Sequence, residues 1–209
     1  MNEHNIAFGP IPSRRLGRSL GINNIPPKIC SYSCIYCQIG RAIKMDHERR
    51  EHFKPEMVIE TVKEKVSKLR EAGAKIDYLT FVPDGESTLD IHMGKEIHEL
   101  KKLGIPLAII TNSSTIDRQD VRQELLEVDL VSVKIDSVIR DVWKKTDRPH
   151  KALDLDNILE GLRIFAGEYK GKLITETMLI DGVNDDTENL ERTAEFIGTL
   201  HPEVAYVSI

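Results

Sequence analysis

At 209 residues the chain suits one domain with a sizeable core, and 40 % hydrophobic with 30 % charged residues is an ordinary balance for a water-soluble protein. A net charge of −5 leaves no global basic footprint, so a nucleic-acid partner has to be held by a local patch. No apolar run approaches the length of a bilayer span, and no charged-then-apolar leader opens the chain, so no membrane association is expected.

Residues 8–21 are rich in glycine, proline and arginine and read as irregular backbone with turns, the opening of a single domain over residues 1–209. Arg14, Arg15 and Arg18 within this stretch suit bidentate contact with a phosphate or carboxylate, or else form a solvated basic loop. A first short strand is expected over residues 22–29, bent or at an edge because of Pro26 and Pro27. Residues 30–37 hold all three cysteines. Residues 41–54 are charged and aperiodic, with His47 and His52 read as surface residues.

From Pro55 the pattern becomes regular. Val58, Val62, Val66 and Leu69 recur at helical spacing between Pro55, suited to a helix start, and Gly73, suited to its end. Short apolar runs at 76–82, 106–111, 130–135, 173–180 and 204–209 read as buried strands. Helical patterns at 89–103, 117–128, 155–165 and 190–200 alternate with them. Residues 144–150 form a basic loop beside Trp143, able to hold a nucleotide or simply to be solvated. Strand then helix with short connections means an α/β fold with a parallel sheet and right-handed crossovers. Six units are too few for a closed eight-stranded barrel. The last helical pattern is followed by a strand with no closing helix, as in a short protein, a trimmed chain or a barrel completed by a partner.

Cys30, Cys34 and Cys37 stand in the spacing C-x3-C-x2-C. An odd number of thiols this close does not pair into disulfides; it makes a soft-ligand cage suited to an iron–sulfur cluster or to zinc. Zinc requires a fourth ligand such as His47 or His52, and structural zinc sites favour two ligand pairs separated by a longer loop. The spacing, with an aromatic (Tyr36) before the last cysteine, resembles the signature of radical S-adenosylmethionine enzymes. The block from Phe8 through Pro-Ser-Arg-Arg-Leu-Gly into the cysteines resembles the branch that includes the archaeal wyosine-base (tRNA) synthases. Those carry a second cluster on further cysteines, and this chain has none to spare.

The resemblance implies a partial (βα)6 barrel. It also implies a 4Fe–4S cluster on Cys30, Cys34 and Cys37, with the fourth iron left to S-adenosylmethionine. The implied activity is reductive cleavage of that cofactor to a 5′-deoxyadenosyl radical, which abstracts hydrogen from a small molecule or an RNA base. A flavodoxin- or ferredoxin-like electron donor and a reducing cytoplasm, suited to an oxygen-labile cluster in an anaerobic setting, follow from the same resemblance. The alternative is a non-catalytic zinc-binding or iron–sulfur electron-transfer module.

Ligands of parallel α/β sheets sit at the carboxyl ends of the strands. Asp84-Gly85-Glu86 stands where the family has a Gly-Gly-Glu-like tripeptide facing the amino group of S-adenosylmethionine; a backbone carbonyl acceptor is indifferent to Asp84 replacing the first glycine. Asn112 caps the next helix or reaches the cofactor. Ser132, Lys134 and Asp136 share a strand face, and a buried lysine needs a carboxylate, so Lys134 and Asp136 are expected together and near the cofactor's ribose and carboxylate. Glu176, Met178 and Ile180 share a face on the next strand. If that face is inward, Met178 or Ile180 packs on adenine and Glu176 faces the substrate. The resemblance further implies backbone contacts from Tyr36 to adenine, and makes Arg14, Arg15 and Glu176 the candidates for direct work on the substrate.

Overall fold

A computed structural model describes residues 6–209; the first five residues of the predicted N-terminal segment lie outside the described residues. The chain opens with an antiparallel hairpin, β1 Ala7–Ser13 and β2 Gly17–Ile22. Residues 8–21 are therefore two strands joined by a turn at residues 14–16, where the sequence predicts irregular backbone with turns. Glycine and proline misled here because Gly21 marks a close approach and not a turn: a Cβ on it would lie 2.2 Å from the Phe8 ring. The strand expected over 22–29 correspondingly ends at Ile22, and beyond the Pro26-Pro27 bend only Ile29–Cys30 (β3) pairs, with Lys44–Met45 (β4).

From there the elements follow the periodicity. α1 spans Pro55–Glu71, β5 Tyr78–Phe81, α2 Met93–Lys101, β6 Leu107–Thr111, α3 Gln119–Leu125 and β7 Leu130–Lys134. α4 Arg140–Asp147, α5 Leu155–Glu168, β8 Lys172–Met178, α6 Thr187–Thr199 and β9 Val204–Ser208 complete the chain. Two boundaries differ from expectation. Residues 87–89 form a 3₁₀ turn ahead of α2, because Glu86 caps Thr88 there instead of opening an α-helix. The basic stretch 144–150 is largely the second half of α4, which buries Trp143, Thr146 and Asp147 and ends at Arg148 in the left-handed region.

The sheet order is β1-β2-β5-β6-β7-β8-β9, parallel throughout except for the first pair. Alternate residues divide the apolar side chains between two faces. Leu79, Phe81, Leu107, Ile109, Val131 and Val133 pack outward into the main core with the helices. Ala108, Leu130 and Ile174 point inward and close around Leu16, from the β1–β2 turn. That turn also reaches Tyr206 on β9, five strands from β2, through Arg15. The sheet thus curls until its two ends are bridged from below, making an incomplete (βα)6 barrel with Leu16 as its plug. Among the described residues no helix is long and apolar enough to cross a membrane.

Two buried positions give measurable expectations. A Cβ at Gly161 in α5 would lie 2.5 Å from the Ile116 carbonyl oxygen, whereas one at Gly167 in the same helix meets nothing within 4 Å. Gly161→Ala should therefore destabilise by about 1–3 kcal/mol through backbone overpacking, against a gain of about 0.5 kcal/mol for Gly167→Ala, both read from urea unfolding. Glu96 is fully buried on α2, and among the described residues neither of its carboxylate oxygens has a hydrogen-bond partner of good geometry. Burial first, and neighbouring Asp90 second, push its pKa up to about 9. The folded chain then holds a proton that the unfolded chain releases near pH 4.3, so stability should fall as pH rises through that window, by at most about 1.4 kcal/mol per pH unit. Unfolding measured between pH 6.5 and 8.5 should show this slope in the parent and a flatter one in Glu96→Gln.

Candidate functional site

The carboxyl ends of β5 to β9 and the cysteine loop surround a cavity of about 250 Å³. Cys30, Cys34 and Cys37 lie on its wall with Tyr36, and Glu86, Asn112, Lys134, Asp136, Glu176 and Met178 also line it. The cysteine loop has almost no secondary structure of its own, so its shape is imposed by neighbours. On one side Ser31 Oγ meets Ser114 Oγ at 2.5 Å and Asn112 Nδ2 donates to Ser31 Oγ at 2.9 Å. On the other, the Ser33 and Ile35 amides donate to the Asp147 and Thr146 carbonyls at the end of α4. Beneath it, Trp143 Nε1 donates to the Tyr32 hydroxyl at 3.1 Å. Trp143 is 2 % exposed, so it is a support of the loop and not a platform for a nucleotide.

Glu86 is buried, and its carboxylate accepts from Thr88 N (3.1 Å), Thr88 Oγ1 (2.6 Å), Thr111 Oγ1 (2.7 Å) and Asn112 N (2.7 Å). Burial raises its pKa while these four donors favour the anion. A carboxylate has about four lone-pair positions, and here the protein fills as many. The Asp84 carbonyl already accepts from Lys28 N at 2.6 Å, and Asp84 itself is exposed. Gly85 is required between them, because a Cβ would lie 2.1 Å from the Ile29 carbonyl oxygen. The loop after β5 is thus pressed against the backbone that leads into Cys30.

Asn112 does not cap the next helix, which opens at Arg118–Gln119 without a side-chain cap. Its Oδ1 accepts from Ser114 N at 3.0 Å in a turn, which leaves its Nδ2 to face Cys30 Sγ at 3.4 Å. Lys134 is the corresponding group at Cys34. Its Nζ lies 3.5 Å from Cys34 Sγ, 2.8 Å from Asp136 Oδ2 and against Asp147 Oδ1. Burial works against this cation, yet Asp147 and Asp136 hold its pKa well above the usual lysine value. Asp136 also accepts from Met178 N at 2.9 Å and from the Tyr36 hydroxyl. Burial pushes Asp147 up to about 7 against the pull of Lys134. Asp147 has no signal in the sequence, since nothing in a run of lysines marks one residue as buried; its burial comes from the packing of α4.

Burial pushes the Cys30 thiol up to about 11 and the Cys34 thiol to about 12. Such thiols become good ligands where a cation displaces their protons. Among the described residues no three His, Cys, Asp or Glu side chains converge to hold a single ion, and His47 instead stacks on His150 with centroids 4.5 Å apart. The donor set is three soft sulfurs facing one cavity, two of them receiving N–H hydrogen bonds, and it fits a metal–sulfur cluster.

The remaining candidates separate. Glu176 is on the inward face, as is Met178, while Ile180 lies past the strand end, its amide donating to Asn184 Oδ1 at 2.8 Å. Arg15 pairs with Glu176 Oε1 and lies over the Tyr206 ring at 5.2 Å. The anion that Arg15 meets is therefore internal. Arg14 is exposed and outside the cavity.

The sequence profile of the Radical SAM superfamily matches residues 24–197. The UPF0026 protein MJ1312 of Methanocaldococcus jannaschii is 54 % identical over 203 residues, 97 % of this chain and 63 % of that protein. A UPF0026 protein of Helicobacter pylori is 37 % identical over 195 residues, 92 % of this chain and 62 % of that protein. The chain thus spans less than two thirds of the length of these curated relatives. A solved structure of TYW1 with a lysine-pyruvate adduct bound superposes with a TM-score of 0.67 at 19 % identity, over 92 % of this chain and 65 % of that one, a likeness of fold.

Exchange of Glu86 for Gln turns one of its acceptor positions into a donor facing Thr88, Thr111 and the Asn112 amide. We expect a loss of about 2–3 kcal/mol in urea unfolding, the cost of buried groups left unpaired; Thr111→Val, which removes one donor, should cost less.

Proposed function

This chain belongs to the radical SAM superfamily, and from that premise we propose that Cys30, Cys34 and Cys37 hold its 4Fe–4S cluster at the wall of the cavity, with S-adenosylmethionine bound inside. The observation that carries this reading is the placement of all three sulfurs of one eight-residue loop on a single cavity at the carboxyl ends of parallel strands. Enzymes of the superfamily use these two cofactors, which together supply a hydrogen-abstracting 5′-deoxyadenosyl radical when bound.

The chain's own residues divide the remaining work. Three thiolates leave one metal position to a non-protein ligand. Asn112 and Lys134 orient Cys30 and Cys34 through N–H donors, and such hydrogen bonds tune the potential of a cluster. Lys134 and Asp136 face the cofactor's carboxylate and ribose, Met178 packs on its adenine and Tyr36 contributes backbone contacts. The Gly85 carbonyl, together with the wall that Glu86 holds in place, faces its amino group, whereas Asp84, exposed and with its carbonyl taken by Lys28 N, stands outside the cavity lining. Glu176, inward and lower, faces the substrate. That substrate is a small molecule or an RNA base, and a flavodoxin- or ferredoxin-like protein supplies the electron in a reducing cytoplasm.

Anaerobic reconstitution should give about four irons and four sulfides per chain. With dithionite and S-adenosylmethionine the loaded chain should release 5′-deoxyadenosine, and Cys30→Ala, Cys34→Ala or Cys37→Ala should abolish both the cluster absorbance and that release. One zinc without sulfide in the isolated protein would overturn the assignment. A stable cluster to which S-adenosylmethionine does not bind would convert it to an electron carrier.

A further inference from the structure

The charged groups lining the cavity differ in how far the protein has already satisfied them. Glu86 is filled by donors from Thr88, Thr111 and Asn112. Asp136 is filled by Met178 N, the Tyr36 hydroxyl and Lys134, and Lys134 in turn is committed to Asp136 and Asp147. Glu176 is different. Its Oε1 takes the Ser132 hydroxyl at 2.6 Å and Arg15, while its Oε2 has no hydrogen-bond partner among the described residues.

From this asymmetry we infer that Glu176 Oε2 is the recognition point for the substrate, and that the group it takes is a primary amine in its ammonium form. Ser132 spends its only proton on Glu176, so towards the cavity it presents lone pairs alone. Two acceptors then stand side by side, beside the apolar walls of Ile110 and Met178. Arg15 is paired with Glu176, lies over the Tyr206 ring and is not among the residues lining the cavity, so it is a positioning residue. An ammonium carries three donors and satisfies both oxygens; a hydroxyl has one donor and must turn a lone pair towards an acceptor; a carboxylate or phosphate is repelled. Glu176 pairs in register with Lys134 on the next strand, whose ammonium touches Cys34, so an amine held there stands next to the cysteine end of the cavity.

This inference rests on the radical-enzyme reading for its location within an active site, and its test separates the two. Calorimetric titration of the reconstituted chain with n-butylamine, butyramide and butyrate should show the amine binding, the amide at least tenfold weaker and the carboxylate not at all. Glu176→Gln should weaken n-butylamine at least tenfold while iron content and S-adenosylmethionine affinity stay at the parent level. Glu176→Asp, which keeps the charge one methylene back, should lose less than Glu176→Gln. Unchanged amine binding in Glu176→Gln, the reverse order of the two variants, or preference for butyrate overturns the proposal. A chain that takes up no cluster yet binds the amine through Glu176 would instead sink the radical reading and leave this one standing.

Discussion

Everything at the cysteine end depends on a carboxylate that has no cation. Glu86 is buried and has no salt-bridge partner among the described residues, an arrangement that costs several kcal/mol unless hydrogen bonds replace the lost water. The protein replaces it with donors from two separate loops: Thr88 belongs to the turn after β5, Thr111 and Asn112 to the end of β6. A buried anion so satisfied is a fastener, because moving either loop uncovers it. Its second effect is directional. With the Asn112 backbone fixed by Glu86 and its side-chain oxygen fixed by Ser114, the remaining amide hydrogens have Cys30 and Ser31 as their partners. One buried charge thereby determines which way a group in contact with the first cysteine points.

Lys134 does the same at the second cysteine with the opposite sign. Two carboxylates flank one ammonium, an excess of negative charge that burial makes expensive, and raising the pKa of Asp147 to about 7 is one consequence. The arrangement persists because each member is also tied to backbone or to a further donor: Asp136 to Met178 N and Tyr36, and the Asp147 carbonyl to the Ser33 amide. The cysteine loop is thus gripped by β6 on one side and α4 on the other. A site of this kind is held to shape by its supports, because the loop has no ladder of its own.

What the sequence revealed follows from which interactions are local. Helical and strand periodicities are local, and α1, α5 and the strands from β5 onward came from Val58-Val62-Val66, from Leu155 to Phe165, and from the apolar runs. The cysteine spacing is local too. Lys134 with Asp136 was legible because two residues along a strand share a face. The hairpin was not, since its glycine exists to admit the Phe8 ring from the partner strand. Asp147 was hidden in a run that reads as solvated, and its burial is decided by the packing of α4 under Tyr32. Arg15 and Glu176 were each singled out, yet their meeting required the curl of the whole sheet, which brings the first turn to the eighth strand.

That curl also explains why the cavity has two chemically different ends. Near the cysteines Glu86, Lys134 and Asp136 all have hydrogen-bond or ion-pair partners within the protein, so the geometry there is set before any ligand arrives. Lower in the barrel, matching is incomplete: Glu176 Oε2 has no hydrogen-bond partner among the described residues, and Leu16 and Arg15, which plug the barrel and pair with Glu176, both come from the β1–β2 turn. Altering that turn would re-aim Glu176 without disturbing Glu86, Asn112 or Lys134, since none of these touches it.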